Sequence, residues 1–190
     1  MGRTNPLFPN LINADWTVWD DMVNSLIGRR LYSTAGKVDY NYDENGIDFS
    51  DGGSISSLND RIIWNQQFPH AAKLDSIIKP HLHLVQANNN AVVFTMQYRI
   101  QQNGAATATS WTTMTANLST DGLFPYVSGN LNQLLPLGDI DMTGYNVSAT
   151  VEYRLARTDT TGGVALVNFA DTHVEFDSAG SQALYTKYTP

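Results

Sequence analysis

His81 and His83 stand two positions apart in the run Lys79-Pro80-His81-Leu82-His83-Leu84, a segment of strand character, and alternate residues of a strand point to the same side. Two neutral imidazoles on one face can grip a single cation, and zinc or iron suits such donors. The same spacing recurs near the C-terminus in Thr172-His173-Val174-Glu175. If that strand lies beside the first, His81, His83, His173 and Glu175 make a set of three histidines and one carboxylate. The competing reading needs no ion: histidines that stack on aromatic rings and bond to neighbouring strands. That structural role is preferred, and no metal or other cofactor is expected.

The His-X-His pair also resembles the metal motif of cupins, but the rest of that motif is missing. A cupin places a Glu a few residues after the second His, whereas here the chain continues Leu84-Val85-Gln86-Ala87-Asn88 with no acid before Asp121. Other chemistry is weaker still. There is no G-x-S-x-G elbow, no phosphate-cradling glycine loop and no cysteine. The acidic residues Asp39, Asp43, Glu44, Asp48 and Asp51 miss the spacing of a calcium loop. Asp139/Asp141 and Asp171/Glu175/Asp177 are close enough in sequence to form glycosidase-type pairs, yet acids beside turns read as solvated caps. An enzyme is not expected. Trp64, Trp111, Tyr126, Tyr145, Tyr185 and Tyr188 are candidates for stacking on sugar rings, with most of them expected in the core.

These residues have to be positioned by strands. Val92, Phe94, Met96, Tyr98 and Ile100 alternate with Val93, Thr95, Gln97 and Arg99, and Leu82 and Leu84 oppose His81, His83 and Val85. With the turn residues Ala87–Asn90 between them, the two runs read as a hairpin. A second hairpin is predicted around Asn45-Gly46. Further strands are predicted over 60–68, 111–118, within 137–155, and over 165–176, where Val167, Phe169, His173 and Glu175 share a face if no bulge intervenes. Trp16, Trp19, Val23, Leu26 and Ile27 recur at helical spacing, with Asp15 and Gly28 as stops, and predict one short helix. Residues 119–138 read as a long surface loop.

Counted together, these elements predict an all-β fold: a single jelly-roll-like antiparallel β-sandwich over 14–190, one short N-terminal helix, and an extended arm at 1–13. Leu7, Phe8, Leu11 and Ile12 make the arm too apolar to lie idle, so they are interface candidates. A chain of 190 residues suffices for a sizeable core without disulfides. The net charge of −7 argues against nucleic acid as a partner. No signal peptide is expected, and no run nears the ~18 apolar residues of a membrane helix.

Five stretches in order carry a family likeness: Trp16-x-x-Trp19-Asp20-Asp21, Lys79 to Leu84, Gly-Asp-Ile-Asp-Met-Thr-Gly from Gly138 to Gly144, Val-Glu-Tyr-Arg-Leu-Ala-Arg from Val151 to Arg157, and Thr172 to Ser181. The chain thereby resembles a family of small structural proteins of tailed bacteriophages and prophages. The resemblance implies a non-enzymatic virion component made in a bacterial cytoplasm, with no catalytic residues to carry over. Its partners would be the major capsid protein or other virion proteins; the apolar arm and the small share of charged residues point, independently of the resemblance, to further copies of itself in a closed oligomer, most plausibly a trimer. A capsid decoration, cement or head-fibre role is the first expectation; a tail adaptor or receptor-binding protein touching host glycan is the alternative, and a cupin-like metalloprotein the third.

Overall fold

The computed structural model describes residues 18–22, 24–25, 38–41, 46–58, 60–86, 91–124, 132–161 and 165–177. Along these run the strands β1 (Val18–Asp21), β2 (Asn24–Ser25), β3 (Val38–Asn41), β4 (Gly46–Phe49), β5 (Ile62–Gln67), β6 (Ile77–Gln86), β7 (Val93–Gln101) and β8 (Thr112–Asn117), then the helical turn α1 (Leu118–Asp121), then β9 (Asn132–Pro136), β10 (Ile140–Asp141), β11 (Thr150–Arg157) and β12 (Ala165–Phe176). They form two antiparallel sheets. In the larger one β6 pairs with β12; β9 and β10 share the far side of β6, while β1, β2 and β4 share the far side of β12 and β3 lies outside β4. The smaller sheet runs β5-β11-β7-β8. From β4 onward the chain passes repeatedly from one sheet to the other, as in a jelly roll.

Period-2 patterning accounts for the core between the sheets. Leu82 and Leu84 of β6 point inward, as do Phe94 and Met96 of β7 and Val151, Tyr153 and Leu155 of β11, each essentially inaccessible to water. Burying a side chain of this size stabilises the fold by roughly 1.5–3 kcal/mol. Phe49 of β4 meets Phe94 of β7 edge-to-face across the two sheets, with ring centroids 5.4 Å apart. Trp64 of β5 stacks on its cross-strand neighbour Tyr153 at 4.9 Å, so this tryptophan belongs to the core. At one edge of the core the buried Arg157 guanidinium grips Asp159 (Nε to Oδ2, 2.8 Å) and donates from Nη1 to the carbonyl of Phe49.

Four expectations are corrected. The runs 79–86 and 91–100 are strands with the faces expected, but they do not form a hairpin: β6 and β7 lie in opposite sheets, so Leu82 and Leu84 confront Phe94 and Met96 across the core instead of pairing beside them. A polar turn permits either outcome, and burial of both apolar faces selects the crossing. Within the span predicted to be helical, Val18–Asp21 and Asn24–Ser25 are strands, because the open edge of β12 offers backbone partners that a helix would leave unmet. The predicted loop 119–138 takes in all but the first residue of α1 and the whole of β9; Asn117 caps α1 by accepting from Ser119 N–H, and Asp121 returns the bond by accepting from Asn117 N–H. Finally, β12 does carry a bulge. Its register shifts between Val167 and Phe169, leaving Asn168 as the extra residue. The hairpin β3–β4 is as expected. The arm, with Leu7, Phe8, Leu11 and Ile12, lies outside the described residues.

Candidate functional site

The bulge decides where the chemistry-bearing side chains of β12 point. Before it, Ala165 and Val167 face the core; after it, Ala170, Thr172 and Val174 do, and the alternate residues Phe169, Asp171, His173 and Glu175 turn to the outer face. Val167 therefore does not share a face with His173 and Glu175. Across the ladder, Phe169 stands opposite His83, Asp171 opposite His81, and His173 opposite Lys79. The outer faces of β6 and β12 thus present one continuous cluster.

Its geometry is tight. His81 Nε2 lies 3.2 Å from His83 Nε2 and 3.1 Å from Asp171 Oδ1, while His83 Nε2 faces Asp171 Oδ2 at 3.5 Å. His173 packs edge-on against His81 with centroids 4.6 Å apart, and its Nε2 bonds Asp21 Oδ1 of β1 at 2.7 Å. Phe169 stacks on His83 at 4.1 Å. His81 is 4% and Asp171 3% exposed, yet Asp171 Oδ1 accepts no hydrogen bond. Burial pulls the His81 imidazole below its ordinary value, partly opposed by the Asp171 charge, and burial pushes the Asp171 carboxyl up. Both shifts have one cause: a water-poor site disfavours each charged form.

Of the four residues singled out from the sequence, His81, His83 and His173 are brought together and Glu175 is not. Glu175 instead pairs with Lys73 Nζ at 2.9 Å. Asp171 takes the carboxylate position, and Asp21 stands behind His173. Asp171 was visible in the sequence only as one of several acids beside turns; its alignment with His81 depends on the β6–β12 register and the bulge.

Of two clefts that bear on function, the first touches this cluster and the second lies apart from it. One, of about 370 Å³, is lined by His81, His173, Lys79, Leu123, Leu134 and Asp139 among others. The other, of about 410 Å³, opens at the mouth of the sandwich, where Tyr98, Arg99, Thr109 and Thr112 of the smaller sheet's end meet Asp141 and Tyr145. Asp141 is exposed, and hydrogen bonds from the Thr143 side chain and N–H hold its carboxyl below the ordinary value. Trp111 does not offer an open face to this cleft: the guanidinium carbons of Arg154 and Arg99 lie 3.5 and 4.6 Å from its ring centroid. Tyr126, Tyr185 and Tyr188 fall outside the described residues.

No family model matches the chain, and no curated protein does either. Among solved structures it is similar to a xylan-binding module, CBM15, with a TM-score of 0.46 and 12% identity over 82% of this chain and 96% of that one. It is also similar to Xylanase10C from Cellvibrio japonicus in complex with xylopentaose, with a TM-score of 0.42 and 11% identity over 80% of this chain and 28% of that one. A third likeness is to the enzymatically active domain of the bacteriophage CBA120 tailspike protein 4, with a TM-score of 0.36 and 9% identity over 82% of this chain and 19% of that one. At TM-scores this low, none of these likenesses transfers a ligand or an activity.

Proposed function

We propose that this chain is a non-enzymatic component of a bacteriophage particle that contacts saccharide through the cleft at the mouth of its sandwich. The observation that carries the saccharide reading is the lining of that cleft. Two tyrosines give apolar ring faces for the C–H face of a sugar, while Arg99, Asp141, Thr109 and Thr112 supply donors and acceptors for its hydroxyls. Asp141 is the one acid among the described lining residues, and its depressed carboxyl stays ionised, which suits an acceptor and not a general acid. Glycoside hydrolysis ordinarily needs two carboxylates flanking the bond. The particle itself rests on the five-stretch resemblance; assembly into a closed oligomer, taken as a trimer, rests on the apolar residues Leu7, Phe8, Leu11 and Ile12 and the small share of charged residues in the sequence.

Two positions on the particle divide the reading. The cleft favours a tail adaptor or receptor-binding protein that meets host glycan. Leu123 and Phe124, 60% and 53% exposed after α1 and outside that cleft's lining, favour a decoration or cement protein seated on the capsid shell. Immunogold labelling of particles separates head from tail, and light scattering on the purified chain reads the oligomer. For the cleft, a glycan array should show specific binding that disappears in Tyr145→Ala while the unfolding midpoint stays within a few degrees. An array with no specific signal, or one indifferent to Tyr145→Ala, removes the saccharide reading.

A further inference from the structure

The cluster on the outer face of β6 and β12 is built in a way that hydrogen bonding alone leaves incomplete. Each neutral imidazole carries one N–H, yet His81 Nε2 faces both His83 Nε2 and Asp171 Oδ1, and Asp171 Oδ1 still accepts no hydrogen bond although its residue is only 3% exposed. Buried carboxylate oxygens are seldom left so. Lone pairs from two rings and a carboxylate converge on one small region instead. Atoms bound about 2.0–2.1 Å from a tetrahedral ion lie roughly 3.3–3.4 Å from one another. His81 Nε2 stands 3.2 Å from His83 Nε2 and 3.1 Å from Asp171 Oδ1, while His83 Nε2 stands 3.5 Å from the other oxygen, Oδ2, so the carboxylate presents one oxygen to each ring.

The geometry points to a binding site for one divalent transition-metal ion of the zinc class, held by Nε2 of His81, Nε2 of His83 and the carboxylate of Asp171. His173 stands beside it: one nitrogen of its ring, one of His81 and one oxygen of Asp171 lie within 4.8 Å of one another, wider than bound donors, so its ring has to move inward to close a fourth position. Two imidazoles select against calcium and magnesium, which take oxygen ligands, and favour zinc, cobalt, nickel or iron. The supporting parts are present. Phe169 fixes the His83 ring by stacking, paired strands hold both backbones, and Asp21 bonds His173 as an outer carboxylate. An ion has a way in, since the His83 side chain is 33% and that of His173 45% exposed. The site is separate from the saccharide cleft, whose lining includes none of these residues.

The test is titration of the untagged full-length chain, stripped with chelator, with cobalt(II) and then zinc(II). One equivalent of cobalt giving the visible absorption of tetrahedral coordination, displaced by one equivalent of zinc, is expected, with magnesium producing neither effect. His83→Gln, at a position whose side chain is 33% exposed, should weaken binding by more than the roughly 10–100-fold that outer-shell changes cost. Asp171→Asn should do the same; should that buried variant not fold, His83→Gln decides alone. Absence of the cobalt band together with no zinc uptake after dialysis overturns the proposal, and so does uptake that His83→Gln leaves unchanged.

Discussion

Five donors converge on the Asp159 side chain. Its carboxylate accepts from Arg157 Nε and Nη2, from Val93 N–H, and from the N–H and hydroxyl of Thr161. Burial by itself would raise its pKa, but those donors win and hold it far below the usual carboxylate range. Because the folded state prefers the charged form, the unfolded chain takes up the proton first as pH falls. The stability that Asp159 contributes is therefore present above its ordinary value of 3.8 and lost as pH drops through and below it. Asp159→Asn also takes away the countercharge of Arg157, none of whose side chain reaches solvent, and should cost about 3–5 kcal/mol at pH 7. Denaturant midpoints for both proteins at pH 7 and pH 3 check this: the gap should narrow at the lower pH, and an equal gap would show that Asp159 is not the titrating group.

At the scale of the element, alternation along a strand tells which residues share a face and nothing about which strand lies alongside. For β7 the face is clear, and Phe94→Ala should cost roughly 3–5 kcal/mol for a fully buried ring. Gln97 lies on the other face, bonded to Thr113 in an exposed pair, so Gln97→Ala should cost under about 0.5 kcal/mol. Thr95 is a different case on that same face. It is 9% exposed and its hydroxyl lies 2.9 Å from that of Thr158, so Thr95→Ala should cost about 1 kcal/mol, near the net value of one hydrogen bond. Unfolding midpoints of the three variants check the order, and Gln97→Ala more destabilised than Phe94→Ala would invert the face. For β12 alternation breaks at Asn168, and the one extra residue moves Asp171 and His173 to the side that His81 and His83 occupy.

At the scale of the whole molecule the two sheets share one apolar layer, in which residues of β4, β6, β9 and β12 from one sheet meet those of β5, β7, β8 and β11 from the other. Neither sheet retains a buried face without the other. Urea unfolding followed by tryptophan fluorescence, reporting on Trp64 in that layer, and by far-ultraviolet circular dichroism should therefore give coincident single transitions. Separated midpoints would mean that one sheet persists alone.

The amino-acid sequence by itself determined the class of fold and much of the core, because local alternation of apolar and polar residues is a property of each strand taken singly. Leu82, Leu84, Phe94, Met96, Tyr153 and Leu155 point inward as their spacing demands, and the pair of histidines on β6 points outward for the same reason. Only the tertiary structure decided that β6 and β7 part to opposite sheets, that residues 18–21 extend along β12, and that Asp171, not Glu175, joins the histidines. Those outcomes depend on which backbone edges and which apolar faces find one another at long range and on a single-residue shift in register. No short stretch of the chain encodes such quantities, since each is set by the free energy of the assembled sandwich.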